Sequence, residues 1–105
     1  MKYRPFGKTG LNISEVVIGG GYVGGILIDP ENEIKREALR RALAAGVNWI
    51  DTAPTYGNGQ SETNLGWLLP ELKEDQQPYL STKVRLDPSK LNDIPGQVEA
   101  CIYAS

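Results

Sequence analysis

The sequence predicts an α/β chain in which a hairpin precedes parallel strands, with helices crossing between them. Three observations point there. Short strand-like runs rich in β-branched and aromatic residues occur at 15–18, 47–51 and 79–84. Between them lie segments whose apolar residues recur every three to four positions, as one face of a helix requires. Glycine and proline punctuate the joints, and no repeat, low-complexity tract or linker divides the 105 residues, which suit one domain.

In chain order, residues 2–15 read as a hairpin. Tyr3 and Phe6 precede Gly7-Lys8-Thr9-Gly10, and Leu11 and Ile13 resume an apolar–polar alternation. Residues 15–18 form a short buried strand stopped by Gly19-Gly20-Gly21. The first helix opens with Asp29 as its cap and Pro30 at its first position, with Glu31 and Glu33 complementing the dipole. Ile34, Ala38, Leu39, Ala42 and Leu43 share its inner face, while Arg36, Glu37, Arg40 and Arg41 lie largely outside it. Glu37 and Arg41 make a favourable i,i+4 pair, and Gly46 is a natural stop.

Residues 47–51 follow as a strand, leading into a loop with Pro54, Gly57, Asn58 and Gly59. A second helix starts at Ser61 with Glu62 in its first turn. Leu65, Leu68, Leu69 and Leu72 form its stripe, and Pro70 ends or kinks it. Residues 79–84 are the third strand. After a loop around Pro88, Val98, Cys101 and Ile102 mark the inner face of a further helix. Two parallel architectures fit this order, an open doubly wound sheet and a closed barrel.

Composition narrows the function. A net charge of −2 leaves no basic footprint for nucleic acid and no acidic tail. No apolar run approaches the roughly 18 residues that span a membrane, and the N-terminus lacks a signal-peptide core. A lone cysteine, Cys101, cannot form an internal disulfide, so a cytoplasmic location is expected. With no histidine in the chain, neither a histidine base nor a histidine-ligated metal exists here, and no metal site is expected.

Residues 19–24 match G-x-G-x-x-G, the dinucleotide-binding fingerprint, after a strand. That fingerprint needs a helix opening inside the glycines and an acidic residue about 20 positions on. Pro30 sets the helix later, and the nearest strand-end carboxylate, Asp51, lies too far along. A Rossmann-type domain is therefore the alternative reading, and a glycine turn that lets backbone approach a ligand is preferred. Gly7-Lys8-Thr9 lacks the earlier glycine and the strand of a P-loop, and reads as the hairpin turn.

Three polar groups fall where parallel strands end, which is where active sites form in both architectures. Asp51 closes the second strand, Tyr56 lies in the loop after it, and Lys83 stands near the end of the third. Taken singly, each has an ordinary account: a turn-stabilising carboxylate, an exposed loop aromatic, a solvated strand end.

Together with their flanking residues they carry a resemblance. Tyr3-Arg4-Pro5-Phe6-Gly7-Lys8-Thr9-Gly10-Leu11 resembles the start of many bacterial aldo-keto reductases. Gly46-Val47-Asn48-Trp49-Ile50-Asp51-Thr52-Ala53, then Tyr56-Gly57, Ser61-Glu62 and Leu65-Gly66, resembles that family's most specific N-terminal signature. Ser81-Thr82-Lys83-Val84 is similar to its third-strand lysine motif. The matches come in the family's order and cover nearly the whole chain.

The resemblance implies a (β/α)8 TIM barrel and hydride transfer between NADP(H) and an aldehyde, ketone or sugar, or the corresponding alcohol. It makes Tyr56 the general acid/base, Lys83 the cation that makes the phenol more acidic, and Asp51 the anchor of that cation. Gly20, Gly21 and Tyr22, together with Asp51, would face the nicotinamide end of the cofactor. The magnitudes agree: moving a tyrosine from its usual range near pH 10 toward neutrality takes roughly 3 to 4 kcal/mol. One charge at about 4 Å, with an effective dielectric near 20, supplies about 4 kcal/mol.

A (β/α)8 barrel takes about 250 residues, so residues 1–105 are expected to be the truncated N-terminal part of one oxidoreductase barrel domain, a hairpin plus about three strand–helix units. The family's catalytic histidine, and the segments that grip most of NADP, would lie beyond residue 105. The chain alone is accordingly expected to be inactive and to self-associate through open strand edges. A non-catalytic barrel fragment that pairs with a partner is the other alternative.

Overall fold

The computed structural model of this chain describes every residue except Gly24, Asp29 and Pro30. The hairpin consists of β1 (Tyr3–Pro5) and β2 (Asn12–Ser14), antiparallel with Tyr3 opposite Ser14. A three-stranded sheet follows, ordered β3 (Ile18–Gly19), β4 (Trp49–Asp51), β5 (Tyr79–Ser81), with both pairings parallel. Helix α1 (Asn32–Ala44) crosses from β3 to β4, and α2 (Gln60–Leu68) from β4 to β5. Short 3-10 turns at Leu69–Glu71, Glu74–Gln76 and Pro88–Asp93 lead to β5 and then to α3 (Ile94–Ala104). No described helix is long and apolar enough to cross a membrane.

Strand alternation divides the sheet into two faces. Ile18 and Ile50 turn toward the helices and join Leu27, Leu39, Val47, Leu65 and Leu68 in the core. Trp49 and Asp51 turn to the opposite face, where Trp49 packs edge-on against Phe6 of the hairpin turn (ring centroids 4.9 Å) and tilts against Tyr79. Asn48 clips the hairpin in place. Its side-chain oxygen accepts from Ser14 N at 2.7 Å, its amide donates to Asn12 O at 2.9 Å, and its own backbone N–H donates to Ser14 Oγ at 3.1 Å.

Several expected elements differ in extent. The strand at 15–18 shrinks to Ile18–Gly19, because its pairing with β4 begins only at Ile50; Val16 and Val17 stay exposed. The strand at 79–84 ends at Ser81, since β4 offers no partner beyond Asp51. Helix α1 begins at Asn32 with Glu31 just before it, and the expected Asp29 cap and Pro30 lie outside the described residues. Its buried line runs through Lys35, Leu39, Ala42 and Leu43, which rotates Ile34 out to the surface. Lys35 and Arg36 place their cationic groups 5.8 and 4.8 Å from the Trp67 ring centroid.

The stop at Gly46 holds, with a backbone reason. At φ +91° Gly46 donates to Leu43 O at 2.9 Å, and Val47 N donates to Ala42 O at 3.0 Å, the paired bonds of a Schellman ending. Helix α2 starts one residue before the expected Ser61, with Glu62 in its first turn. Gly59, left-handed, precedes the helix, and the Ser61 hydroxyl is buried inside it. In α3, Val98 and Cys101 are half-buried, but Ile102 is exposed, contrary to its expected place on the inner face.

Candidate active site

The site lies at the C-terminal ends of β4 and β5, where the register sets Asp51 beside Ser81. Both side chains leave the same face of the sheet, so the Ser81 hydroxyl reaches Asp51 Oδ1 at 2.9 Å. Two residues past the end of β5, the chain brings the Lys83 ammonium to Asp51 Oδ2 at 2.8 Å and to Thr52 O at 2.9 Å. The carboxylate thus accepts from a different donor on each oxygen. One face-mate further down β4, the Trp49 indole N–H donates to Ser81 Oγ at 3.0 Å.

Tyr56 enters from the loop between β4 and α2. A run of left-handed residues, Gly57, Asn58 and Gly59 at φ +59°, +55° and +88°, turns that loop back on itself. Only glycine, and less readily asparagine, adopts this conformation without strain. Tyr56 N donates to Ala53 O at 3.0 Å and Tyr56 O accepts from Ser61 N at 3.2 Å, so the residue is fixed at both ends of its peptide. Its ring lies half-buried with the Lys83 ammonium 4.8 Å from the centroid.

Charge follows this geometry. The Lys83 hydrogen bond holds the Asp51 carboxyl below its ordinary range; burial opposes this, and the Ser81 hydroxyl adds to it. The hydrogen bond to Asp51 raises the Lys83 amine above its ordinary value, burial works against that, and the Tyr56 phenol pushes further in the same direction. Asp51 and Lys83 are therefore an ion pair over the whole neutral range. Their side chains are 38% and 49% exposed, so the pair sits at a rim rather than in the core.

The structure gathers Asp51, Tyr56 and Lys83 into one cluster. Of the three glycine-turn residues, Gly21 lies against Tyr56, and a Cβ there would stand 3.5 Å from its ring. Gly20 is buried behind the turn. Its N–H donates to Asp51 O at 2.8 Å, and a Cβ would meet Ser61 Oγ at 2.5 Å. Tyr22 is 79% exposed and stands apart from the cluster's hydrogen bonds. The residues after the glycines form turns, and among the described residues no helix opens before Asn32, so the pyrophosphate-binding helix of a Rossmann fingerprint is missing; Gly24 lies outside the described residues.

Four contributors went unassigned in the sequence: Trp49, Ser81, and the buried pair Thr52 and Ser61, whose hydroxyls are 2.7 Å apart. Ser81 had a signal, since it shares a strand face with Lys83 by twofold alternation. Thr52 and Ser61 had none, because only the tertiary fold brings them together. No group of acidic or cysteine side chains among the described residues could hold a metal ion.

Known proteins resemble this chain in sequence and in fold. Residues 15–105 match the model of the aldo/keto reductase family. The chain is 38% identical over 88 residues to the aldo-keto reductase YhdN of Bacillus subtilis, covering 83% of this chain and 27% of that one. It is 34% identical over 79 residues to the NADH-specific methylglyoxal reductase of Escherichia coli, covering 72% and 24% respectively. Among solved structures, it superposes on the holo form of an aldo-keto reductase from Bacillus halodurans with a TM-score of 0.64 at 29% identity, covering 87% of this chain and 29% of that one. A thermostable aldo-keto reductase bound to the inhibitor epalrestat gives 0.67 at 27% identity, covering 98% and 38%.

The chain thus spans about a quarter of the length of these curated relatives. Its hairpin and three parallel strands correspond to an arc of a (β/α)8 barrel, which decides between the two architectures left open by the sequence. With nearly its whole length matched by the family model, and relatives alike in sequence and fold, this chain belongs to the aldo/keto reductase family of oxidoreductases.

Proposed function

We propose that residues 1–105 are the N-terminal part of a single NADP(H)-dependent reductase barrel in the cytoplasm, acting on aldehydes, ketones or sugars, with Tyr56 as general acid/base. One observation carries this reading: the ammonium that Asp51 anchors at 2.8 Å is the same one that lies 4.8 Å from the Tyr56 ring centroid. A fixed positive charge at this place stabilises the negative charge that develops in the transition state as Tyr56 hands its proton to a carbonyl oxygen. In the reverse direction the same group accepts the proton from an alcohol.

The division of labour follows from geometry. Asp51 and Thr52 O hold the ammonium from two directions, which limits its swing away from the phenol. A solvated lysine would spend most of its time elsewhere, and its charge would be screened by water. Gly21 lies next to the Tyr56 ring, where an added Cβ would make ordinary van der Waals contact at 3.5 Å. Gly20, Gly21, Tyr22 and Asp51 would line the nicotinamide end of the site. The nicotinamide, when bound, supplies the hydride that balances the proton from Tyr56.

For these residues alone we expect no turnover, since three strands do not enclose a cofactor and no histidine is present to orient the carbonyl. The test is a chimera in which residues 1–105 replace the matching segment of the Bacillus subtilis relative, assayed by NADPH oxidation with a reactive aldehyde. Activity should be restored in the chimera and lost with Tyr56→Phe. Turnover by the isolated chain, or an active Tyr56→Phe chimera, would contradict the proposal.

A further inference from the structure

We infer that Ser81 is a positioning residue for the site: locked by the Trp49 indole, it aims its single proton at Asp51 and so fixes the carboxylate that holds Lys83. This deepens the proposed function and rests on it for its consequence in catalysis, although the geometry stands by itself.

The direction of the chain of hydrogen bonds is forced by chemistry. An indole N–H donates and cannot accept, so Ser81 Oγ must be the acceptor in its 3.0 Å contact with Trp49. A serine hydroxyl carries one proton. It has two candidate acceptors, Asp51 Oδ1 at 2.9 Å and Ile50 O at 3.4 Å, and the nearer one is charged. The proton therefore goes to Asp51, and hydrogen bonds to an ionised acceptor are roughly twice as strong as neutral ones. With Oδ1 held by Ser81, the carboxylate's rotation about its last bond is restricted, and Oδ2 faces Lys83 at 2.8 Å.

Trp49 itself makes ring contacts with two elements. Its ring packs against Phe6 at 4.9 Å and Tyr79 at 6.1 Å, so contacts from the hairpin and from β5 both bear on the indole's direction. The register places Trp49 opposite Tyr79 and Asp51 opposite Ser81, so the relay crosses from β4 to β5 and back on one face of the sheet. A packing contact at the base of the sheet is thereby connected to the ion pair at its rim.

The test titrates Asp51 by NMR in the chain labelled with 13C at the aspartate carboxyls, with Asp51→Asn identifying its signal. Ser81→Ala removes a donor to the ionised form, so the Asp51 midpoint should rise by about half to one pH unit. Ser81→Thr keeps the hydroxyl and should restore the wild-type midpoint, an outcome that mere packing at position 81 would not produce. Trp49→Phe keeps most of the ring but removes the N–H that orients Ser81, and should raise the midpoint by a smaller amount; it carries the test if Ser81→Ala does not fold. An unchanged midpoint in both Ser81→Ala and Trp49→Phe, or an equal rise in Ser81→Ala and Ser81→Thr, would overturn the inference. The titration reads this chain's own carboxylate, so it can succeed while the Tyr56→Phe chimera stays active, and the two proposals fail separately.

Discussion

Gly20 is pressed against Ser61 so closely that a Cβ on the glycine would stand 2.5 Å from the serine hydroxyl and 3.0 Å from Asp51 O. The chain just past β3 therefore approaches α2 and the end of β4 at distances that leave no room for a Cβ. Gly20→Ala should destabilise the chain by about 1–3 kcal/mol, the usual range for overpacking a well-filled site. Urea denaturation at fixed protein concentration would show it as a lower midpoint with an unchanged slope. An unshifted midpoint would mean that the approach is looser than the structure has it.

The hydroxyls of Thr52 and Ser61, 2.7 Å apart and fully buried, satisfy one another. Ser61→Ala leaves the Thr52 hydroxyl without that partner and should cost about 1–3 kcal/mol. Adding Thr52→Val removes the stranded group, so the double variant should be no less stable than Ser61→Ala alone. Denaturation midpoints of the three variants measure this coupling, and simple additivity would contradict it.

The ion pair at the rim gives a two-sided pH dependence. Asp51 ionises more readily in the folded chain, so its contribution is present above the unfolded carboxyl's range near pH 4 and is lost as pH falls through the lower folded value. Lys83 holds its proton more tightly when folded, so its contribution is present below the unfolded amine's range near pH 10 and is lost as pH rises through the higher folded value. Both groups are more than a third exposed, so the effect at neutral pH is at most about 1 kcal/mol. Lys83→Met should flatten the stability profile at both extremes, as urea midpoints across pH would record.

Among the described residues β3 and β5 each pair only with β4, which leaves an unpaired edge on either side of the sheet. Leu80 and Val84 on and beyond β5, and Ile102 on α3, are 48%, 42% and 65% exposed. We expect the isolated chain to associate with further copies of itself through these edges. Sedimentation velocity should show mass rising with concentration. A monomer with a cooperative thermal melt would contradict this.

The parallel α/β order was legible from residue periods alone, because helical and strand spacing change sharply at Gly19, Gly46 and Tyr79. The end of α1 was legible too, since Gly46 is among the few residues that accept its left-handed backbone. Strand lengths were not. Val16, Val17 and Val84 have the composition of strand residues, but pairing decides membership, and β4 offers partners only from Trp49 to Asp51. Asp51, Tyr56 and Lys83 could be named as a set through the family's motifs, whereas the Thr52–Ser61 pair is created by the crossing of a loop and a helix. Ser61 illustrates the difference. Its position before an apolar run reads as a helix start, and only the fold shows that its hydroxyl belongs to the core.

The central claim is that the Lys83 ammonium and the Tyr56 phenol act as one unit. It is tested most directly by a double-variant cycle in the chimera, measuring kcat for aldehyde reduction. Tyr56→Phe and Lys83→Met should each lower kcat by roughly a hundredfold to ten-thousandfold, as loss of a positioned proton donor does. The double variant should fall no further than the more damaging single change, because groups that work together are not additive. Losses that multiply, or a Lys83→Met chimera as fast as the parent, would mean that the ammonium does not serve the phenol.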